Sequence, residues 1–210
     1  PPSGVSPMNI GPYDRSSFEI PARGSHVRVL EIMPCQILTR AGRAEARVEN
    51  GLCTADGGKD VAKIAVLERH RGSGNIGLGF ARGFGLLRGA LASSVAHDSH
   101  NIICIGSNDG DMYAAAKAVE EMKGGIAAVL GGKVLARLAL PFAGLMSDRP
   151  IGEVALAWRQ LNASAVELGC RIEEPFMMLS FLALPVIPEI RLTDRGLFDV
   201  LRFEHVPVFL

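Results

Sequence analysis

Runs of apolar residues, some alternating with polar ones and some continuous, predict β-strands along much of this chain. Residues 44–51 could pair with residues 26–33, and residues 125–140 predict a hairpin that turns at Gly131 and Gly132. One or two closing strands are predicted near the carboxyl end. The stretches of strand character before the hairpin are residues 26–33, 44–51, 63–69, 89–96 and 101–106.

Two segments combine capping residues with the apolar periodicity of helices. Asn108 or Asp109 can cap a helix that runs to about Lys123, and a pair of glycines would end it. Residues 152–168 form a second amphipathic pattern, which Gly169 would end. The sequence therefore predicts two helices among a larger number of strands.

The order of these elements indicates the fold class. Strands outnumber helices and do not alternate with them regularly, so we predict an α+β fold with a mixed or antiparallel sheet and two or three packed helices. Too few strand–helix units are present for a complete TIM barrel. Residues 1–20, rich in proline and polar residues, predict an extended linker or tail, and residues 21–210 then form one domain.

The composition is that of an ordinary globular protein, with 48% hydrophobic and 21% charged residues among 210. A formal net charge of zero argues against nucleic acid or an anionic membrane surface as a partner. No apolar run approaches the ~20 residues of a membrane span. Four scattered cysteines without a C-x-x-C pair favour reduced thiols in a cytoplasmic protein. Because the chain starts without methionine, we expect a fragment or a processed product.

Residues 71–85, RGSGNIGLGFARGFG, carry the pattern G-x-G-x-x-G at Gly72, Gly74 and Gly77. In a dinucleotide-binding fold this pattern opens a helix whose N-terminus faces the pyrophosphate. Further glycines follow in the same stretch, and each would cost a helix ~1 kcal/mol relative to alanine. We therefore interpret these glycines as residues of tight turns and close backbone approaches.

The second chemical pattern is SSVAHDSHN, residues 93–101, which places His97, Asp98 and His100 in a turn between two apolar stretches. Imidazole and carboxylate groups suit Mn, Fe or Zn, so these three residues are candidate metal ligands. The alternative is a hydrogen-bonded polar turn without a metal. A serine triad would need a nucleophile elbow, which the sequence lacks. In either of the first two cases we expect a polar cluster at a strand end, facing a cavity or an interface.

Several longer stretches together resemble one family. They are residues 66–109, which contain both chemical patterns, residues 141–148 (PFAGLMSD) and residues 175–200. Residues 27–39 (VRVLEIMPCQILT) resemble the opening strand and turn of the same family. This family is the C-terminal domain of adenine deaminase, in the amidohydrolase superfamily, and the similarity extends over about residues 18–210.

The resemblance implies part of a hydrolase of purine metabolism, which converts adenine and water to hypoxanthine and ammonia. In such enzymes a divalent metal (Mn, Fe or Zn) activates the water, and a preceding (β/α)8 barrel holds most of its ligands. The barrel's H-x-H motif does not occur in this sequence. We therefore expect an N-terminal amidohydrolase barrel as the partner, in cis or in trans, and no meaningful deamination by this chain alone.

The resemblance also implies functional roles for particular side chains of the two chemical patterns. Those expected to face the active site are His70, Ser73, Asn75, His97 and Asp98. The candidate ligands of an accessory metal in this segment are His97, Asp98 and His100.

Two other functions stay open at this point. One is a stand-alone small-molecule or metal-binding module that keeps the fold without the reaction. The other is a structural domain that caps a barrel or stabilises an oligomer interface, without deaminase activity. The sequence is also compatible with a homo-oligomer.

Overall fold

Thirteen strands and three α-helices build residues 8–210, which are the residues that this computed structural model describes. The strands are β1 His26–Ile32, β2 Thr39–Glu45, β3 Arg47–Glu49, β4 Leu52–Thr54, β5 Val61–Leu67, β6 Ile76–Arg82, β7 Ala90–Ser93, β8 Ile102–Gly106, β9 Gly125–Leu130, β10 Lys133–Ala139, β11 Ile190–Thr193, β12 Gly196–Asp199 and β13 Glu204–His205. The helices are α1 Asp109–Glu121, α2 Ile151–Glu167 and α3 Pro175–Phe181.

Eight strands form one mixed sheet in the order β10-β9-β7-β8-β5-β6-β1-β2. Its neighbours are antiparallel except β1 and β6, which run parallel. Strands β11 to β13 form a small antiparallel sheet, and β3 and β4 form a separate hairpin. Helix α1 covers one face of the large sheet, whereas α2, α3 and the small sheet cover the other. The predicted α+β class, with a mixed sheet and no closed barrel, is confirmed.

Strand β5 lies near the centre of the large sheet and is buried along its whole length. Ile64 and Val66 belong to the core on the side of α2 and α3, whereas Ala65 and Leu67 face α1. Successive side chains of a strand point to opposite faces, so a strand covered on both sides needs apolar residues at nearly every position. This explains why β5 is apolar at every position except Lys63 and does not alternate.

Lys63 is the charged residue of β5 and is only 1% exposed. Its Nζ donates to the carboxylate of Asp109 at 2.5 Å and to the carbonyl oxygen of Phe18 at 2.6 Å. Asp109 is the first residue of α1, where a negative charge is favoured by the helix dipole. One buried ammonium group therefore joins the central strand, the start of α1 and the segment that precedes β1.

Both predicted helices are confirmed. The side chain of Asn108 caps α1 by accepting a hydrogen bond from the N–H of Asp111 at 2.8 Å. Helix α2 begins one residue before the predicted range and ends one residue before its predicted end. The hairpin of β9 and β10 turns at Gly131 and Gly132, as predicted.

Two parts of the strand prediction were wrong. The partner of β1 is β2, which ends at Glu45, and residues 47–49 belong to the hairpin of β3 and β4 instead. Asn50 and Gly51 both have positive φ and form the turn of that hairpin, which is what an Asn-Gly pair favours. The second error is that the sequence did not predict β6, which contains Gly77 and Gly79. The close contact is nevertheless real, since a Cβ at Gly77 would overlap the carbonyl oxygen of Thr193.

Residues 8–20 pack on the domain. Phe18 is fully buried against α1, and Ile20 is 5% exposed in the core beside β1. The N–H of Asn9 donates to the carbonyl oxygen of Arg69 at 2.9 Å. The first seven residues of the predicted linker lie outside the described residues, and the domain boundary after residue 20 stays a prediction.

We expect Gly77→Ala to destabilise the domain by about 3 kcal/mol or more, because the added methyl group meets backbone rather than a movable side chain. The matched control is Gly152→Ala, where a Cβ meets nothing within 4 Å and the helical position gains about 0.5 kcal/mol. Urea unfolding of both variants measures the two changes. Equal midpoints for Gly77→Ala and the parent would contradict the close packing of β6 on the small sheet.

Candidate functional site

Three chain connections meet at one end of the large sheet. In the register of the sheet Leu67, the last residue of β5, pairs with both Ile76 and Ile102. The β5–β6 and β7–β8 connections therefore lie at the same end of the strands. The β11–β12 turn reaches them through Asp194. We call this region the polar end, and it comprises residues 68–75, 94–101 and 194–195.

The side chain of Glu68 organises the glycine-rich connection from within. Oε1 accepts hydrogen bonds from the backbone N–H groups of His70 at 2.5 Å and Arg71 at 2.8 Å. Oε2 accepts from the N–H and the hydroxyl of Ser73 at 3.1 and 3.0 Å. Glu68 is 6% exposed, so the loop encloses its side chain almost completely. Burial alone would raise the pKa of Glu68, but these hydrogen bonds outweigh it and lower the pKa to about 2.

This arrangement decides what the G-x-G-x-x-G pattern does. The pattern joins two antiparallel strands, not a strand and a helix. Gly72 and Gly74 have positive φ, which lets the chain wrap its N–H groups around a central anion. That anion is the protein's own Glu68. The interpretation of these glycines as turn and close-contact residues is confirmed, and the N–H groups that a pyrophosphate would need are already occupied.

Arg69 ties the glycine-rich connection to the rest of the polar end. Its side chain, 1% exposed, donates from Nε to the carbonyl oxygen of His100 and from Nη2 to that of Ala143 at 2.8 Å. Burial lowers the pKa of this guanidinium. The backbone N–H of Arg69 donates to Oδ1 of the buried Asn101 side chain at 3.4 Å. Glu68 and Arg69 are therefore consecutive buried residues of opposite charge. Glu68 holds the glycine-rich connection, and Arg69 holds the histidine turn.

The histidines of the polar end are held close together. Nε2 of His70 lies 2.8 Å from the carbonyl oxygen of Ser99, and the rings of His97 and His100 lie 6.1 Å apart, edge to face. The His97 ring also rests on Phe181 of α3 at 4.8 Å between centroids. Burial, followed by the charges of His97 and Arg69, lowers the pKa of His100, which favours its neutral imidazole. The Nδ1 atom of His100 is buried, with no hydrogen-bond partner among residues 8–210.

The structure brings the residues predicted to face an active site to one surface. His70, Ser73, Asn75 and Asp98 are exposed and His97 is half-buried, all at the polar end. The sequence reasoning missed the residues that hold them. Asp194 accepts hydrogen bonds from the side-chain amides of Asn75 at 3.3 Å and Asn101 at 3.4 Å. Two sequence features could have indicated them. Glu68 is an acidic residue just before a glycine-rich turn, and Asp194 lies in the turn sequence T-D-R-G.

For the histidine turn, the sequence offered His97, Asp98 and His100 as candidate metal ligands. Within residues 8–210, no group of three or more histidine, cysteine, aspartate and glutamate side chains is arranged to hold a metal ion. His97 and His100 are neighbours, but Asp98 is exposed beside them. A role of these three residues as ligands stays a prediction, and it needs donors from outside this region of the chain.

Comparison with known proteins places this geometry in a family. Residues 36–204 match the family described as the adenine deaminase C-terminal domain. The chain belongs to this family. The match includes the polar end, with Glu68, Arg69, the histidine turn and Asp194, and it confirms the resemblance that the sequence motifs indicated.

The curated relatives of this adenine deaminase C-terminal domain are much longer proteins. An adenine deaminase of Desulfatibacillum aliphaticivorans is 53% identical over 205 residues, which cover 98% of this chain and 36% of the relative. An adenine deaminase of Dehalococcoides mccartyi is 50% identical over 207 residues, with coverages of 99% and 36%. One from Methanothrix thermoacetophila is 50% identical over 204 residues, with coverages of 97% and 36%. The chain spans about a third of the length of these relatives.

Among residues 8–210, no helix combines the length and apolar character needed to cross a bilayer. The longest, α2, has 17 residues and carries exposed charged side chains.

We expect Glu68→Gln to destabilise the domain by about 2–3 kcal/mol at pH 7, because an amide cannot replace a carboxylate that accepts four hydrogen bonds. The folded pKa of Glu68 lies below its unfolded value. Its contribution is therefore complete above about pH 4.5 and is lost as the pH falls from there towards about 2.

Urea unfolding of parent and variant at pH 7, 4 and 3 measures this difference. The control is Glu121→Gln at an exposed position, which we expect to stay within about 0.5 kcal/mol of the parent. A difference between Glu68→Gln and the parent that is small, or that grows on acidification, would refute the assigned role of Glu68.

Proposed function

We propose that this chain is the C-terminal part of an adenine deaminase, and that it acts when joined to a metal-bearing amidohydrolase barrel. The reaction would be the hydrolysis of adenine to hypoxanthine and ammonia. Support comes from the family match and from the names and lengths of the curated relatives. The wider claims of a cytoplasmic location and of manganese, iron or zinc as the metal belong to the same proposal.

The observation that carries the proposal is the construction of the polar end. Its outward surface presents His70, His97 and Asp98, whereas buried Glu68 and Arg69 fix the backbone beneath them. Polar side chains on a rigid support are what a surface needs in order to complete a neighbouring active site. We therefore propose that this end faces the mouth of the barrel.

The path of the N-terminal segment agrees with this orientation. Asn9 donates from its backbone to Arg69 and from its side chain to the carbonyl oxygen of His70 at 3.2 Å. Asn9 therefore lies beside the polar end. A barrel connected through that segment is tethered close to the surface that we propose it contacts.

The chain itself is not proposed to hold the reactive metal. The described residues contain no suitable group of three or more ligands, so we assign the metal to the barrel. The contribution of this domain is then to position polar side chains and to exclude water at the edge of the purine site.

We expect the isolated chain to release no ammonia from adenine above the background rate. A chimera in which this chain replaces the matching third of the Desulfatibacillum aliphaticivorans relative should deaminate adenine, and a chelator should abolish that activity. An ammonia-release assay with added Mn, Fe or Zn measures both proteins. Robust, chelator-sensitive deamination of adenine by the isolated chain would refute the proposal.

Within the chimera, we expect His97→Ala to lower kcat/KM about tenfold or more, because the polar end loses a side chain that it presents to the barrel. The matched control is His205→Ala, an exposed histidine of β13, which should change kcat/KM less than about twofold. Thermal unfolding of each variant shows whether the fold is retained. Equal kcat/KM values for the two folded variants would contradict the proposal that His97 faces the active site.

A further inference from the structure

A groove of about 930 Å³ lies beside the polar end. One wall is the β1–β2 connection and the other is formed by residues 171–174 and α3. Its lining is mainly apolar and includes Met33, Ile37, Leu38, Met177 and Phe181. The charged side chains of the lining, Arg171, Glu173 and Glu174, are exposed.

The groove leaves large apolar side chains uncovered by residues 8–210. Ile37, Leu38 and Met177 are 44%, 43% and 50% exposed. Contiguous apolar surface of this kind marks an interaction site on a globular protein. Three methionines, Met33, Met177 and Met178, lie in the lining, and methionine is common on surfaces that adapt to a protein partner.

A buried arginine fixes the wall of the groove. Arg191, 0% exposed, donates from Nη2 to the carbonyl oxygen of Ile37 at 2.7 Å and from Nη1 to the hydroxyl of Thr39 at 2.8 Å. Burial lowers its pKa to about 10. Because desolvating a guanidinium is costly, a fully buried one that holds a surface loop indicates that the shape of this loop matters.

The groove is continuous with the polar end. Phe181 lines the groove and also contacts the His97 ring. The carbonyl oxygen of Ser180, next to it in α3, accepts a hydrogen bond from the N–H of His97 at 3.1 Å. A body that faced His97 and Asp98 would therefore also reach this groove.

We propose that the groove is the docking surface for the barrel part of the longer protein. This inference rests on the proposed function and adds the face through which the two parts join. The occupant follows from two observations, the continuity with His97 and the two thirds of the length of the relatives that lie outside this chain. Apolar side chains of the barrel would fill the groove, flanked by polar groups that pair with Arg171, Glu173 and Glu174.

Cys35 provides a built-in probe of this proposal. It is exposed and lies in the groove lining, whereas Cys53, Cys104 and Cys170 are buried. Burial raises the pKa of the thiols of Cys53 and Cys104, and raises that of Cys170 to about 11, so these three react slowly. Alkylation followed by peptide mass spectrometry can therefore report on Cys35 alone.

We expect iodoacetamide to label Cys35 rapidly in this chain and at least about tenfold more slowly in the chimera that carries the barrel. The control is Lys133→Cys in a Cys35→Ser background, on β10 at the opposite edge of the large sheet. The peptide that carries this introduced thiol should be labelled equally in both proteins. Equal labelling of Cys35 in the two proteins would overturn the proposal.

Substitutions distinguish this face from another surface with exposed apolar residues, the outward side of α2. Met177→Glu in the chimera should restore Cys35 labelling towards the rate of the isolated chain. Val166→Glu, on α2 and 67% exposed, should leave Cys35 protected. Release of Cys35 by Val166→Glu but not by Met177→Glu would assign the interface to α2 and refute the groove.

Two further outcomes bear on the occupant. If labelling of Cys35 in the isolated chain slows as its concentration rises, with a matching increase in sedimentation coefficient, a second copy occupies the groove and the proposal fails. Deaminase activity of the chimera is measured separately. An active chimera with reactive Cys35 refutes only the docking surface, whereas an inactive chimera with protected Cys35 supports the docking surface and refutes the proposed function.

Discussion

Two buried charges at the end of the central strand determine the shape of the candidate site. Glu68 and Arg69 follow directly after β5, and each is almost completely removed from water. A buried charge is tolerated only where hydrogen bonds replace its hydration. Glu68 obtains them from its own glycine-rich loop, whereas Arg69 obtains them from the histidine turn and from the loop at Ala143. The positions of both loops follow from this requirement.

The same principle recurs at two other places. Lys63 is satisfied by Asp109 and Phe18, which brings α1 and the N-terminal segment onto the sheet. Arg191 is satisfied by Ile37 and Thr39, which shapes one wall of the groove. Breaking such an arrangement by removing one partner is typically costly, since the remaining charge stays buried. The domain therefore has a rigid framework beneath a surface of exposed polar and apolar side chains.

That surface gives the family membership a physical meaning. The chain covers about a third of the length of its curated relatives, and our proposal gives it a face that meets the rest of such a protein. The polar end and the groove adjoin through the contact of His97 with Phe181, and the segment at Asn9 lies beside the polar end. This continuous face, part polar and part apolar, supports the proposal that the domain completes a site on a larger enzyme.

Local sequence determined the parts of this protein that depend on neighbouring residues. Apolar periodicity and the cap at Asn108 predicted α1 and α2, paired glycines predicted the β9–β10 turn, and long motifs indicated the family. Only the tertiary structure showed that Gly77 lies in a strand. Glycine is needed there because the backbone of Thr193, far along the chain, packs directly against it. The same holds for the site. His70, His97 and Asp98 could be chosen from their chemistry, whereas the roles of Glu68, Arg69 and Asp194 depend on which loops the sheet register brings together.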